Sequence, residues 1–147
     1  MLVRCLYASR MAKPMAPATL RAILEDSRKN NVKNGITGVL ISTGDAFIQV
    51  LEGGRAQVSQ TYNHIASDKR HSEVTLLSFE SIPQRSFESW SMGEVTIGQL
   101  NPTVLLKHSA TMQINPFAMS GAAVLALLND LVASGTVVCG NATRGKR

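Results

Sequence analysis

The sequence predicts an α+β fold: a ferredoxin-like mixed sheet of about five strands with two helices on one face, followed by two C-terminal helices. Strand-like and helix-like patterns follow one another in the order strand, helix, hairpin, helix, strand, strand up to residue 97. The sequence then changes to helical periodicity, which predicts the two further helices. The length of 147 residues suits one domain, and a hydrophobic content of 44% is ordinary for a globular protein.

The first strand and the first helix are predicted on either side of a short loop. Residues 2–7 are mostly apolar and form a predicted strand, whereas residues 11–16 contain a proline and small side chains. Pro17 suits the first turn of a helix, because its missing amide proton would have no partner there. Apolar residues then follow at helical spacing, and the Asn-Gly pair at Gly35 predicts the end of the helix.

A hairpin and a second helix come next. Residues 36–41 are rich in β-branched side chains, residues 43–45 (Thr-Gly-Asp) form a tight turn, and residues 46–51 are a second apolar run. This arrangement predicts a β-hairpin. Two glycines at positions 53 and 54 end the hairpin, and residues 56–67 place their apolar side chains on one helical face.

The rest of the chain is predicted as two strands and two helices. Residues 74–79 and 87–97 have the composition of strands. Residues 100–112 and 116–134 have helical periodicity, and Asn115 is expected to cap the second of these helices.

We therefore expect three parts along the chain. Residues 1–97 would form the functional domain, residues 98–135 a helical extension, and residues 136–147 a flexible tail, since the last part is rich in glycine and basic residues.

Charge and composition disfavour several classes of protein. The net charge is +5, but three of these charges lie in the last four residues, which leaves little for a nucleic-acid surface. Aromatic residues make up only 5% of the chain, so a base-stacking platform is not expected either. No apolar run is long enough to predict a membrane span, and the N-terminus lacks the pattern of a signal peptide. Two distant cysteines without metal-ligand spacing predict a reduced, cytoplasmic protein.

The sequence contains none of the common catalytic patterns. It has no phosphate-binding glycine loop, no nucleophile elbow and no metal-ligand cluster, so an enzyme is not predicted. Polar residues do stand where a core would favour apolar ones: Tyr7 and Gln49 in strands, and Asn30 and Asn31 near a helix end. Two interpretations remain open from the residues alone. These side chains cap a helix and face water, or they bind a ligand that carries both donors and acceptors.

Four separated segments stand out together. They are Asn-Asn-Val-Lys-Asn-Gly-Ile-Thr-Gly at 30–38, Phe-Ile-Gln-Val-Leu-Glu-Gly at 47–53, Asp-Lys-Arg-His at 68–71 and Phe-Glu-Ser-Trp-Ser-Met at 87–92. In their order and spacing, these segments resemble the BLUF family, the flavin-binding blue-light sensors. The resemblance covers about residues 1–97, and the extra helices are similar to those of the short, stand-alone PixD group. It implies a non-enzymatic photoreceptor with FAD as its chromophore, with FMN or riboflavin as alternatives.

The resemblance also assigns side chains to the flavin. It implies that Asn31, preceded by Asn30, binds the polar edge of the isoalloxazine, and that Arg70 lies near a pyrimidine carbonyl. Asp68 and His71 would line the mouth of the same flavin pocket. The resemblance implies that Ile23 and Ile65 sandwich the ring and that Leu40 and Phe47 lie on the hairpin floor beneath it. Further cofactor contacts are implied for Ser27 and His64.

The resemblance implies that Tyr7 and Gln49 are the photoactive pair. Tyr7 would donate an electron and a proton, and Gln49 would rearrange its hydrogen bonds by rotation or by tautomerisation. Trp90 and Met92 would exchange places beside Gln49 and relay the change, although simple packing at a strand end explains them equally well.

The expected output is a changed interaction with a protein partner, for which a response-regulator-like protein is one candidate. Homo-oligomers are also expected, because the last two helices carry apolar residues such as Leu127, Leu128 and Leu131 that could form an association surface. Two other functions remain as alternatives: a flavin-dependent redox enzyme on the same fold, and an interaction domain without a cofactor.

Overall fold

A five-stranded mixed sheet forms the centre of the molecule. The computed structural model describes residues 1–13, 15–96, 102–134 and Val137. The strand order is β4-β1-β3-β2-β5, in which β5 runs parallel to β2 and the other neighbours are antiparallel. The predicted ferredoxin-like α+β fold is confirmed. The strands are β1 (Leu2–Met11), β2 (Thr37–Ser42), β3 (Ala46–Gly54), β4 (His71–Ser81) and β5 (Gly93–Thr96).

Two helices cover each face of the sheet. The first face packs against α1 (Pro17–Asn34) and α2 (Arg55–Ala66), and the second face packs against α3 (Pro102–His108) and α4 (Gly121–Ala133). As predicted, α1 begins at a proline and ends at Gly35, whose φ of 69° is the left-handed conformation that glycine adopts without strain.

Strand β3 is buried on both faces because it lies in the middle of the sheet. Phe47 and Leu51 point towards α1 and α2, whereas Ile48 and Val50 point towards α3 and α4. Side chains alternate along a strand, so Gln49 lies on the same face as Phe47 and Leu51. The register places Gln49 directly opposite Tyr7 of β1.

The prediction of a strand over 87–97 is wrong for most of its length. Only Gly93–Thr96 forms β5, and Ile97 lies outside the described residues. Residues 82–92, here called the connecting segment, form neither a helix nor a strand. Phe87 and Met92 are apolar because both are fully buried, and apolar residues at this spacing predict a strand. The segment is held instead by individual side chains from elsewhere in the fold.

The carboxylate of Glu52 attaches the start of the connecting segment to the sheet. Glu52 is fully buried at the end of β3. It accepts hydrogen bonds from the backbone N–H groups of Ser86, at 2.9 Å, and Phe87, at 2.7 Å. Nε of Arg4 donates to the same carboxylate at 2.9 Å. A buried carboxylate needs such partners, because an uncompensated charge in the interior is very costly.

The end of the connecting segment is attached to α1 and β2. The side-chain amide of Asn31 donates to the carbonyl of Ser91 at 2.7 Å, and Nε of Arg28 donates to that of Met92 at 3.0 Å. The N–H of Gly38 donates to the carbonyl of Trp90 at 3.0 Å. Three successive backbone carbonyls are therefore held in place before β5 begins.

The C-terminal helices are shorter than predicted. The predicted helix over 100–112 is the seven-residue α3. The predicted helix over 116–134 consists of a 3₁₀ turn and α4, because Met119 between them has extended dihedral angles. Asn115 caps only the 3₁₀ turn, and the hydroxyl of Ser120 caps α4 by accepting from Ala123 N–H.

The prediction that Leu127, Leu128 and Leu131 form an association surface is wrong. All three are fully buried, together with Val124, against the second face of the sheet. An amphipathic pattern shows that a helix covers something apolar, but it does not distinguish the helix's own sheet from another chain. Self-association of this chain stays a prediction.

The division at residues 97 and 98 and the tail at 136–147 stay predictions. Residues 97–101, 135, 136 and 138–147 lie outside the described residues. Val137 is described, and its side chain packs against the core on the second face.

Replacing Glu52 with glutamine should destabilise the fold. Glu52→Gln keeps the size of the side chain but leaves the buried Arg4 guanidinium without a countercharge. We expect the free energy of unfolding to fall by about 2–4 kcal/mol in urea denaturation. Glu80→Gln, on exposed β4, is the matched control and should change stability by less than about 0.5 kcal/mol. Equal stability of the two variants would contradict the role given to Glu52.

Candidate functional site

A cavity of about 140 Å³ lies between α1, α2 and the first face of the sheet. Helix α1 contributes one wall, α2 the other, and β2 and β3 the floor. The structure brings together here all of the side chains that the resemblance assigned to the cofactor, and their contact with a cofactor stays a prediction. They are Ile23, Ser27, Asn30, Asn31, Leu40, Phe47, Gln49, His64, Ile65, Asp68, Arg70 and His71.

Tyr7 and Gln49 form a buried hydrogen-bonded pair at the cavity floor. The phenolic O–H of Tyr7 donates to Oε1 of Gln49, and Nε2 of Gln49 donates to Sδ of Met92 at 3.3 Å. The pair is adjacent because β1 and β3 place the two residues opposite each other. The result is a continuous chain of donors and acceptors from Tyr7 through Gln49 to Met92.

Met92, and not Trp90, lies next to Gln49 in this structure. Met92 is fully buried on the first face of the sheet. Trp90 is half-buried and packs against the core on the second face. The exchange of these two side chains stays a prediction.

The phenol of Tyr7 is protonated over the whole ordinary pH range. Burial raises the pKa of Tyr7 well above its usual value of 10, and the nearby Cys5 and Tyr62 raise it further. The ring of Tyr62 meets that of Tyr7 edge-on, with centroids 5.4 Å apart. Tyr7 can therefore act as a hydrogen-bond donor.

Asn31 presents an acceptor to the cavity. Its side chain is buried, and its Nδ2 is already bonded to the carbonyl of Ser91. Within the described part of the chain, no group donates a hydrogen bond to its Oδ1. That oxygen can accept from the N–H of a ligand. Asn30 lines the same cavity but is exposed to solvent.

An ion pair stands at the mouth of the cavity. Nη2 of Arg70 lies 2.6 Å from Oδ2 of Asp68, and Nε of Arg70 bonds to both carboxylate oxygens. The hydrogen bonds from Arg70 lower the pKa of Asp68 to about 2, and those bonds in turn raise the pKa of Arg70. Most of the guanidinium is thus committed to Asp68.

His71 is positioned by Ser9 and Phe47. The hydroxyl of the fully buried Ser9 is 2.9 Å from Nδ1 of His71, and the rings of His71 and Phe47 have centroids 5.3 Å apart. Burial lowers the pKa of His71, and Arg70 lowers it further against the opposing effect of Asp68. Neutral imidazole is therefore favoured at the cavity.

Sequence reasoning missed three residues that line the cavity, namely Asp26, Leu51 and Thr61. Spacing alone could have found Asp26, which lies three residues after Ile23 on the same helical face, and Leu51, which alternates with Gln49. Thr61 lies four residues before Ile65 on α2 and could have been found in the same way.

Within the described ranges, no group of three or more His, Cys, Asp or Glu side chains could hold a metal ion. No helix of the described residues combines the length and the apolar character that a membrane crossing requires.

Comparison with known proteins identifies the family to which this sequence and fold are similar. The BLUF family, described as sensors of blue-light using FAD, matches residues 2–93. BlsA and BlrB are two of the similar solved structures that cover about 90% of the chain. BlsA in its photo-activated state is 34% identical with a TM-score of 0.80, and covers 90% of this chain and 95% of its own. BlrB, a BLUF protein in its dark state, is 30% identical with a TM-score of 0.77, and covers 91% and 96%.

The curated relatives are much longer than this chain. The photoactivated adenylate cyclase subunit beta of Euglena gracilis is 32% identical over 91 residues, which are 61% of this chain and 11% of that protein. The blue light- and temperature-regulated antirepressor BluF of Escherichia coli strain K12 is 29% identical over 87 residues, which are 59% of this chain and 22% of that protein. The similarity thus concerns a small part of each.

His71 should make part of the stability depend on pH. Because the folded state lowers the pKa of His71 below 6.5, the unfolded chain binds a proton more readily. The contribution of His71 is therefore present above about pH 6.5 and is lost as the pH falls below that value. His71→Gln should reduce the difference in unfolding free energy between about pH 7.5 and about pH 5.5, measured with urea. His64→Gln, at an exposed cavity position, is the control, and equal pH dependence of the wild type and His71→Gln would contradict the expectation.

Proposed function

The chain belongs to the BLUF family of blue-light sensors, and we propose that it binds FAD between α1 and α2 and passes a light-driven hydrogen-bond change to a protein partner. The observation that carries the proposal is the buried chain from Tyr7 through Gln49 to Met92 at the cavity floor. Membership of a sensor family favours this function over a redox enzyme and over a domain without a cofactor.

The chemistry of the cavity suits an isoalloxazine ring. Ile23 and Ile65 offer apolar walls from facing helices, and Leu40 and Phe47 offer an apolar floor. The open carbonyl of Asn31 suits a ring edge that carries an N–H group. When bound, the flavin absorbs blue light and becomes a strong one-electron oxidant in its excited state.

Tyr7 supports this function because it holds a proton that is already directed to Gln49. Loss of an electron makes a phenol strongly acidic, so the proton at Tyr7 Oη can move along the existing bond to Oε1 of Gln49. Nε2 of Gln49 donates to a thioether sulfur, which is a weak acceptor. Little free energy is therefore lost when Nε2 of Gln49 leaves the sulfur of Met92 for another acceptor, and this makes Gln49 a suitable switch.

The same contacts suggest how the change leaves the site. Met92 directly precedes β5, and its carbonyl accepts from Arg28 on α1. A change at Gln49 would therefore shift Met92 and act on β5 and α1 together. We propose that a protein partner, such as a response-regulator-like protein, recognises this shift, and that the chain performs no reaction on a substrate.

We also propose that the cofactor is FAD and not FMN or riboflavin, that the protein is cytoplasmic, and that it forms homo-oligomers. The thiol of Cys5 is unpaired and buried, which is compatible with a reducing compartment.

Tyr7→Phe and Gln49→Ala should bind flavin and lose the light response. The first change removes the proton donor but keeps the ring, and the second removes the switch. Both proteins should be yellow after purification, show no reversible red shift under blue light, and have a longer flavin fluorescence lifetime than the wild type. Absorption spectra before, during and after illumination measure the shift.

The chain offers a matched control for Tyr7→Phe. Tyr62→Phe removes the same hydroxyl group from the adjoining ring and should keep the red shift, as should Trp90→Phe, which is expected to change mainly the recovery. A normal reversible shift in Gln49→Ala would refute the mechanism, and a colourless folded wild type that takes up no added flavin would refute the whole proposal.

Asn31→Ala should weaken flavin binding more than Asn30→Ala. Asn31 is buried, and its loss would leave both the ligand and Ser91 without a hydrogen bond, at a cost of about 1–3 kcal/mol, or about one to two decades of affinity. Asn30 is exposed, so water can replace it. Flavin titration of both variants, with urea unfolding to check their stability, distinguishes the two, and wild-type affinity in Asn31→Ala would remove Asn31 from the site.

A further inference from the structure

A groove lies on the side of α1 that faces away from the cavity between α1 and α2. Its volume is about 570 Å³. Its α1 wall consists of residues three or four positions apart, which share one side of a helix, namely Arg21, Leu24, Glu25, Arg28, Lys29 and Val32. The other wall is Glu94 of β5, the strand at this end of the sheet. None of these residues lines the first cavity.

Arg28 connects this groove to the proposed switch. Its Nε donates to the carbonyl of Met92 at 3.0 Å, and the sulfur of Met92 accepts from Gln49. Nη2 of the same guanidinium is buried and, among the described residues, has no hydrogen-bond partner. A buried charged donor without an acceptor is costly. Arg28 therefore gains free energy if a movement of that carbonyl releases its guanidinium into the groove.

The groove also carries charges of both signs that the fold does not use. Within the part of the chain that the structure describes, Arg21 and Lys29 form no ion pair, and neither do Glu25 and Glu94. Cationic side chains outnumber acidic ones along the groove, and Val32, which is 64% exposed, adds an apolar surface. These properties suit a peptide that presents a carboxylate beside apolar side chains. They suit a nucleic-acid backbone less, because the two glutamates would repel a continuous row of phosphates.

We propose that this groove is the docking site for an acidic segment of the partner protein, and that Arg28 binds a carboxylate of that segment in the state that blue light produces. The inference rests on the proposed function, and it names the surface and the chemistry that the partner recognises. In the dark, the bond to the carbonyl of Met92 directs the guanidinium into the protein. Once Met92 has shifted, both amino groups can turn to the groove and bind a carboxylate in the bidentate geometry. Partner binding and the illuminated state would favour each other, since coupling between two sites is reciprocal.

Two synthetic peptides, added to the flavin-loaded full chain, test the proposal. One alternates leucine with glutamate, and the other alternates leucine with glutamine at the same length. Each carries a dye that is excited at wavelengths flavin does not absorb, so fluorescence anisotropy can be measured in the dark and under blue light. Under blue light, the glutamate peptide should bind at least about fivefold more tightly than in the dark, and at least about fivefold more tightly than the glutamine peptide. Salt at about 0.5 M should reduce the preference for glutamate.

Variants of α1 locate the binding site. Arg28→Gln removes the guanidinium and should abolish the preference for the glutamate peptide. The matched control is Lys33→Gln, which removes one positive charge from the same helix outside the groove and should keep the preference. Lys29→Gln and Val32→Ser change exposed residues and test the groove even if Arg28→Gln does not fold. The first should weaken binding of the glutamate peptide by about twofold or more, and the second should weaken binding of both peptides.

The outcomes separate this inference from the proposed function. A wild type that shows the reversible red shift but binds the two peptides equally, or does not bind them, would overturn this inference alone. Equal affinity in light and dark would do the same, as would wild-type affinities in both Lys29→Gln and Val32→Ser. Tighter binding of a short single-stranded oligonucleotide than of the glutamate peptide would overturn the choice of an acidic partner. A wild type without flavin or without the red shift would overturn the proposed function and this inference with it.

Discussion

The arrangement of the site depends on the buried carboxylate of Glu52. It lies on β3, three residues after Gln49, and binds Arg4 of β1 and the backbone of Ser86 and Phe87. Strand hydrogen bonds cannot hold the connecting segment, because residues 82–92 belong to no strand. With its start fixed at Glu52 and its end fixed by α1 and β2, the segment has little freedom, and Met92 is delivered to the sulfur–amide contact with Gln49. The buried ion pair of Arg4 and Glu52 therefore matters more for the position of the connecting segment than for the net stability of the fold.

The sheet separates the candidate flavin cavity from the rest of the core. Odd-numbered residues around Gln49 face the cavity, and even-numbered ones face α3 and α4. Because α4 fills the second face with four fully buried aliphatic side chains, the first face can contain a cavity and two hydrogen-bonded polar residues without losing its support. Tyr7 and Gln49 satisfy each other, so their burial costs less than that of two unpaired groups.

Sequence periodicity predicts the elements whose bounds depend on local sequence, and it fails for segments whose conformation is decided by tertiary contacts. The apolar runs of β1 and β3 are sufficient to place Tyr7 and Gln49 on their strands, and the proline and glycine at the two ends of α1 are sufficient to place Asn31 on its helix. Residues 87–92 are predicted as part of a strand because Phe87, Trp90 and Met92 are apolar, and no local pattern reveals the tertiary hydrogen bonds that hold the connecting segment instead. The cofactor itself was indicated by family resemblance, since amides and isoleucines are ordinary residues of helices and cores.

The shared core on the second face of the sheet has a consequence for protein engineering. Light-sensing modules are usually transplanted by cutting a chain at the border of the matching family, which here would be near residue 93. Such a cut would remove Leu105, Val124 and the leucines of α4, and would leave Val39, Ile41, Ile48 and Val50 facing water. A contiguous aliphatic surface on a bare sheet favours aggregation or adventitious pairing. A chimaera built from this sensor should therefore join its new effector after α4, so that the helical extension travels with the module.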